Sequence, residues 1–221
     1  FRAMEEERPE AWTWHLLGLV NPGIVFAGNL VGGIWVAAGV VYMLGLGPFL
    51  DMLFGKAARP KPPRKSGLPF ETLLYVHAFV QFAVLGSLLY RASIDGSSWT
   101  MWVAAISTGI SSGVSGIIVA HELGHTKPKT FSWWVGRLNL LSVLYLHFTT
   151  EHNFTHHKHV STEADPATAR YGESVWRFVL RTVPGQFFDA KSVHDRKGRT
   201  GFQNPVLQGF ALEIALVGGL F

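Results

Sequence analysis

Five of the ten histidines in this 221-residue chain fall in two short clusters. His121 and His125 belong to His121-Glu122-Leu123-Gly124-His125. His152, His156 and His157 belong to Glu151-His152-Asn153-Phe154-Thr155-His156-His157. Residues four apart share a helix face, so His121 and His125 can share one ion. His152 and His156 repeat that spacing, while His157 projects onto an adjacent face. One helical pair suits one metal, and three further histidines with a different angular spread suit a second ion or a bridge. Imidazole serves iron, zinc, copper and nickel alike, so the ligands alone leave the metal open. Glu122 and Glu151 are candidates for direct ligation or for orienting an imidazole from behind. His121-Glu122-x-x-His125 also matches the HExxH pattern of zinc proteases, in which the glutamate is the general base. That reading leaves the second cluster without a role. The bland alternative, histidines solvated at a membrane edge, accounts for any one of them but poorly for five in two motifs. The chain has no cysteine, which excludes disulfides, thiolate metal sites and thiol redox chemistry.

The elements that must hold these clusters read as membrane helices. No residue is charged from Asn21 to Leu50, from Thr72 to Tyr90 or from Gly96 to Ala120. A bilayer span needs about 20 mostly apolar residues, and these windows lack the polar stripe of a soluble helix. Spans are expected at about 12–27, 30–54, 70–91 and 99–120, with another starting near Val206. The first is expected to break or kink at Asn21-Pro22, because proline removes a backbone donor. The segment 55–67 carries five basic residues, no acidic one and three prolines. It reads as an extended cytoplasmic loop by the positive-inside rule. The fourth span is rich in Gly and Ser, which lets helices approach closely and places it centrally.

Counting spans returns the chain to the basic side where His121 appears. Residues 122–203 hold eleven Lys or Arg against seven Asp or Glu, in keeping with a cytoplasmic region. Within it, 131–148 is apolar and reads as core beneath the membrane. The fold class is therefore all-α: a multi-pass transmembrane helical bundle with a histidine-rich metal site at its cytoplasmic side, in one membrane domain over 1–221. The net charge of +4 needs no nucleic acid to explain it, since the basic residues lie between apolar runs. The start is acidic (Glu5, Glu6, Glu7) and lacks the basic n-region of a signal peptide. A start at Phe1 and a stop within an apolar run lead us to expect further sequence beyond both ends. Of the other histidines, His15 and His77 sit near span ends, between interface solvation and function. His147 reads as packing or support, and His159 and His194 as surface.

The boxes HELGH and EHNFTHH resemble those of the integral-membrane alkane hydroxylases (alkane 1-monooxygenase, AlkB family). The stretch Ser161-Thr162-Glu163-Ala164-Asp165-Pro166 to Ser174 and the segment Pro48 to Gly55 are similar to that family too, and the likeness runs from about residue 12 to the end. The resemblance implies a non-haem diiron centre that hydroxylates the terminal carbon of an alkane, using O2 and two electrons from a rubredoxin. It makes His121, His125, His152, His156 and His157 iron ligands, with Glu122 and Glu151 supporting them and no catalytic residue beyond the metal centre. A lipophilic substrate dissolves in the bilayer, so spans two to four are expected to form its channel, and the basic loops to steer an acidic electron carrier. Three departures stand out. Thr155 replaces the usual Gly, Ala164 replaces the usual Glu, and the third histidine box is absent. The absence predicts that these 221 residues would be inactive alone. Close alternatives are a xylene-type methyl hydroxylase, a fatty-acid hydroxylase or a desaturase, although the His152-x-x-x-His156-His157 spacing favours the hydroxylase. More distant ones are a membrane zinc protease or a metal-binding or transport protein without redox chemistry.

Overall fold

The computed structural model describes residues 11–55 and 66–220, and every regular element among them is a helix. The chain divides into two compact units, one ending at Val119 and one beginning at Ala120. The expected basic loop, apart from Gly55, Ser66 and Gly67, lies outside the described residues.

Among the described residues, four helices are long and apolar enough to cross a membrane: α1 (Trp12–Val31), α2 (Gly33–Phe54), α3 (Leu68–Asp95) and α4 (Trp99–Gly124). They fall where the uncharged windows require. The break expected at Asn21-Pro22 does not occur. α1 begins as a 3-10 helix and becomes α-helical from Val20. The helix runs on through Pro22, two residues after that change of geometry. The chain turns instead at Gly32-Gly33, with φ of +80° and +59°, a region open to glycine without a Cβ clash. Arg91 closes this turn. Its Nε donates to Asn29 O (2.7 Å) and its Nη2 to Leu30 O (2.6 Å), capping carbonyls that the end of α1 leaves free. A Cβ at Gly32 would collide with the guanidinium.

A polar seam holds the first unit together. His77 Nδ1 lies 3.3 Å from Ser115 Oγ, and Gln81 donates to Ser112 at 2.9 Å. Asn29 donates to both Ser87 and Thr108 at 3.1 Å. On α3 the buried members His77, Gln81, Ser87 and Arg91 follow one face. Hydrogen bonds of this kind join helices where lipid removes the hydrophobic driving force. His77 is thus buried and bonded rather than solvated at an interface. Half of α4's apolar window is buried, the largest share of the four, as its small residues predict. Phe79, Trp102 and Met52 point outward, as lipid-facing side chains do.

The second unit takes in the last turn of α4, then α5 (Phe131–Ser142), α6 (residues 148–159), α7 (Val175–Asp195) and α8 (Pro205–Leu220). Its core forms around Ala120, Leu140 and Leu146, with Leu141, Tyr145 and Phe148 packed against them. The apolar run 131–148 therefore does supply core, through α5 and the turn after it. That turn is held from both sides. The Leu146 N–H donates to the buried Glu213 carboxylate of α8 (2.6 Å), and Arg137 Nη1 donates to Leu146 O (2.5 Å). The entry into the second histidine box is pinned as a result. α8, at 16 residues, is shorter than the four spans.

Candidate metal centre

The first box ends α4. A π-helical segment, Gly113–Ile118, precedes it, and regular α geometry resumes at Val119. His121 and His125 therefore share a face, with their Nε2 atoms 3.3 Å apart. The second box lies in α6, where His152–His156 forms a π turn. The His157 N–H donates to His152 O, the i→i+5 bond of that geometry. A π turn brings the residue five on, not four on, above the first. His157 therefore joins His152, and His156 swings out. This reverses the pairing expected from a regular α-helix.

Four imidazoles converge as a result. Candidate ligand nitrogens of His121, His125, His152 and His157 all lie within 4.8 Å of one another. Ring centroids of His121 and His152 are 4.4 Å apart, as are those of His152 and His157, and those of His125 and His157 are 5.1 Å apart. With metal–nitrogen bonds of about 2.1 Å, neighbouring ligands stand about 3.4 Å apart and opposed ones about 4.2 Å. The set needs only a small contraction to close on an ion. His152 Nε2 is buried without a hydrogen-bond partner among the described residues. Burial, then the neighbouring imidazoles, pushes the His152 pKa down to about 3, and the same causes lower that of His125. Both rings are neutral at pH 7, the form that binds metal. The donor set fits a transition metal.

His156 stands beside the four. Its ring stacks on His152 at 5.2 Å, and its Nδ1 lies 2.8 Å from Asp165 Oδ2. Such a carboxylate fixes the tautomer and leaves Nε2 free for a metal. Burial pushes the Asp165 carboxyl up, but hydrogen bonds from Thr168, the Ala167 N–H and His156 outweigh it and hold it below its ordinary value. Arg181 braces the loop that carries Asp165. It grips Glu173 through Nε (2.8 Å) and Nη2 (2.7 Å) and donates to the carbonyls of Pro166 and Thr168. Asp165 and Glu173 both lie in the family-like stretch that ends at Ser174, where sequence alone gives neither a role, and Arg181 lies outside any motif. An Asp-Pro pair just after a histidine box was the available signal.

Glu122 and Glu151 differ in placement. Glu122 Oε1 lies 3.1 Å from His121 Nδ1, as an orienting carboxylate would. Glu151 is 1% exposed, and its Oε1 has no hydrogen-bond partner among the described residues. Burial, then the charges of Asp165 and Asp189, raises its pKa to about 7. Asn153 donates to Gly124 O at 3.1 Å and ties the two boxes together. His147 is buried against Tyr145 and Phe187, as packing was expected to require. His194 was expected at the surface. It lines instead, with His125, Trp133, Asn153, Phe154 and Lys197, a cavity of about 560 Å³, and its Nδ1 is buried.

Residues 97–214, just over half of the chain, match the family model described as fatty acid desaturase. The chain belongs to that family. Within curated proteins it is similar to alkane 1-monooxygenases. It is 32% identical over 225 residues to that of Ectopseudomonas oleovorans, covering 96% of this chain and 56% of the relative. It is 32% identical over 206 residues to that of Pseudomonas putida, covering 88% and 51%. It is 31% identical over 231 residues to alkane 1-monooxygenase 1 of Alcanivorax borkumensis, covering 97% and 56%. The chain spans about half the length of the curated relatives it matches.

Proposed function

We propose that this chain is the histidine-box part of a membrane alkane 1-monooxygenase, which converts RH, O2, two electrons and two protons into ROH and water. The carrying observation is the convergence of His121, His125, His152 and His157, with His156 held on Asp165, in a chain with four apolar helices. The similarity to alkane 1-monooxygenases supports the reaction class. We assign the four convergent imidazoles to one iron and His156 to a second. Two irons call for more ligands than five imidazoles supply, and the curated relatives are nearly twice as long as the matched region. Bound there, iron would supply the redox capacity to activate O2 against a C–H bond.

The chain's own residues do the rest. Glu122 and Asp165 orient His121 and His156, Asn153 holds the boxes in register, and Phe148 stacks on His152 at 5.0 Å and shields it. The substrate is a lipophilic alkane reached from the bilayer, and the electron donor a rubredoxin. The basic segments argue for histidine boxes on the cytoplasmic face of a bacterial inner membrane. The HExxH protease reading fits less well, because Glu122 leans on His121 Nδ1 rather than standing free as a base.

Metal analysis and turnover test this reading. The full-length natural protein, purified from membranes, should carry about two irons per chain and hydroxylate an n-alkane when given reduced rubredoxin. A preparation with one zinc, no iron and a peptidase activity abolished by Glu122→Gln would overturn it.

A further inference from the structure

α7 carries an exposed apolar stripe beside a buried face that is half polar. Its buried face carries Thr182, Gln186, Ala190 and Val193. The two polar members are satisfied there: Gln186 donates to Thr182 Oγ1 at 3.0 Å and accepts from the Tyr145 hydroxyl at 2.7 Å. Its outward face carries Val175, Trp176, Val179, Leu180, Val183 and Phe188, with Trp176 79% and Leu180 78% exposed. Trp176, Val179, Leu180 and Val183 recur at i, i+3, i+4 and i+7, a continuous stripe along one side. Single exposed leucines are ordinary, but a contiguous apolar stripe marks contact with something other than water.

We propose that α7 lies in the plane of the bilayer interface, with the Trp176–Leu180–Val183 face sunk into the boundary between headgroups and acyl chains. Three observations favour lipid as the occupant. The same chain carries four helices apolar enough to span a membrane, so a bilayer is always at hand. The start of α7 is flanked by exposed Arg170, Tyr171 and Arg177, the mixture of cations and aromatic rings that suits anionic headgroups. The helix is too charged to cross, with Arg177, Arg181, Asp189, Lys191 and Asp195 along its length, so it lies flat.

The inward side of the same helix explains why its seating matters. Arg181 holds Glu173 and the carbonyls of Pro166 and Thr168, and that loop presents Asp165 to His156. An α7 fixed at the interface therefore fixes the depth of the His156 support relative to lipid.

The inference rests on the membrane reading of the chain, and the test separates the two. The chain has no cysteine, so single nitroxide labels can be placed at Trp176→Cys, Leu180→Cys and Val183→Cys in the protein reconstituted in phosphatidylethanolamine–phosphatidylglycerol vesicles. Phe79→Cys, outward on α3, is the lipid control, and Glu163→Cys, an exposed loop residue, the water control. Collision with O2 against a water-soluble nickel chelate then gives each label's depth. The three α7 labels should read about 5–10 Å into the boundary, with Phe79 in lipid and Glu163 in water. Nickel-accessible α7 labels beside a lipid-buried Phe79 label would overturn the inference alone. So would α7 labels shielded from both reagents, which would mean that protein covers the face. A Phe79 label in water would overturn the membrane reading and the inference together.

Discussion

At the scale of single residues, the centre depends on which nitrogens face inward and what stands behind them. His157 belongs to the convergent four and His156 does not, so their replacements should differ. His157→Ala should strip the four-imidazole position of metal and abolish turnover. His156→Ala should leave that position loaded and lower iron by about one ion per protein. Equal losses in iron content, measured by elemental analysis, would refute the division. Asp165 reaches the cluster through His156 and also accepts from Thr168 and the Ala167 N–H of its own loop. Asp165→Asn should weaken iron binding roughly 10–100-fold without changing helix content, whereas a purely structural role would lower thermal stability and leave affinity intact. Leu140, wholly buried at the centre of the second unit, should cost about 2–5 kcal/mol when cut to alanine, read from denaturant unfolding in detergent.

At the scale of elements, the π turn at His152–His156 decides the ligand set. A π turn is an α-helix with one residue inserted. Deleting exposed Phe154 should return α6 to regular geometry, with His152 and His157 four apart and still on one face. Inserting an alanine after Asn153 should instead turn His157 by about 100° and destroy metal binding. Iron content of the two variants checks this, and metal loss in the deletion variant would show that the π geometry itself is required. The Arg181–Glu173 clamp makes a prediction about acid. The hydrogen bond from Arg181, then that from the Arg170 N–H, pulls the Glu173 carboxyl down to about 2. A carboxyl lowered on folding stabilises the fold above its unfolded value, near 4.5, and loses that contribution as pH falls towards 2. Melting temperature should therefore fall more steeply between those limits in the natural protein than in Glu173→Gln. Parallel curves would show that the clamp adds nothing to stability.

At the scale of the whole molecule, two compact units carry different work. The first is a set of apolar helices stitched by Asn29, Gln81, His77 and Arg91. The second carries the converging imidazoles and the amphipathic α7. Replacing Asn29 by alanine should cost about 1 kcal/mol, the scale of interhelical hydrogen bonds in membranes. It should leave iron content unchanged, because the four converging imidazoles belong to the other unit. Iron loss in Asn29→Ala would show that the two units are coupled more tightly than their separate packing implies.

Much of this was legible in the chain itself. The apolar runs located the four candidate spans found among the described residues, because a bilayer span depends on length and composition alone. The two boxes located the histidines that converge, because spacing along a helix is a local property. The gaps have equally physical origins. Pro22 sits just past a change from 3-10 to α geometry within one unbroken helix, and the preceding residues do not announce that change. His77 stood between interface solvation and function until α4 placed Ser115 against it, a contact across 38 positions. Ligand type and spacing were thus determined by sequence. Which imidazoles meet was decided only by tertiary structure, because a π turn shifts the register by one residue and Asp165 then draws His156 away.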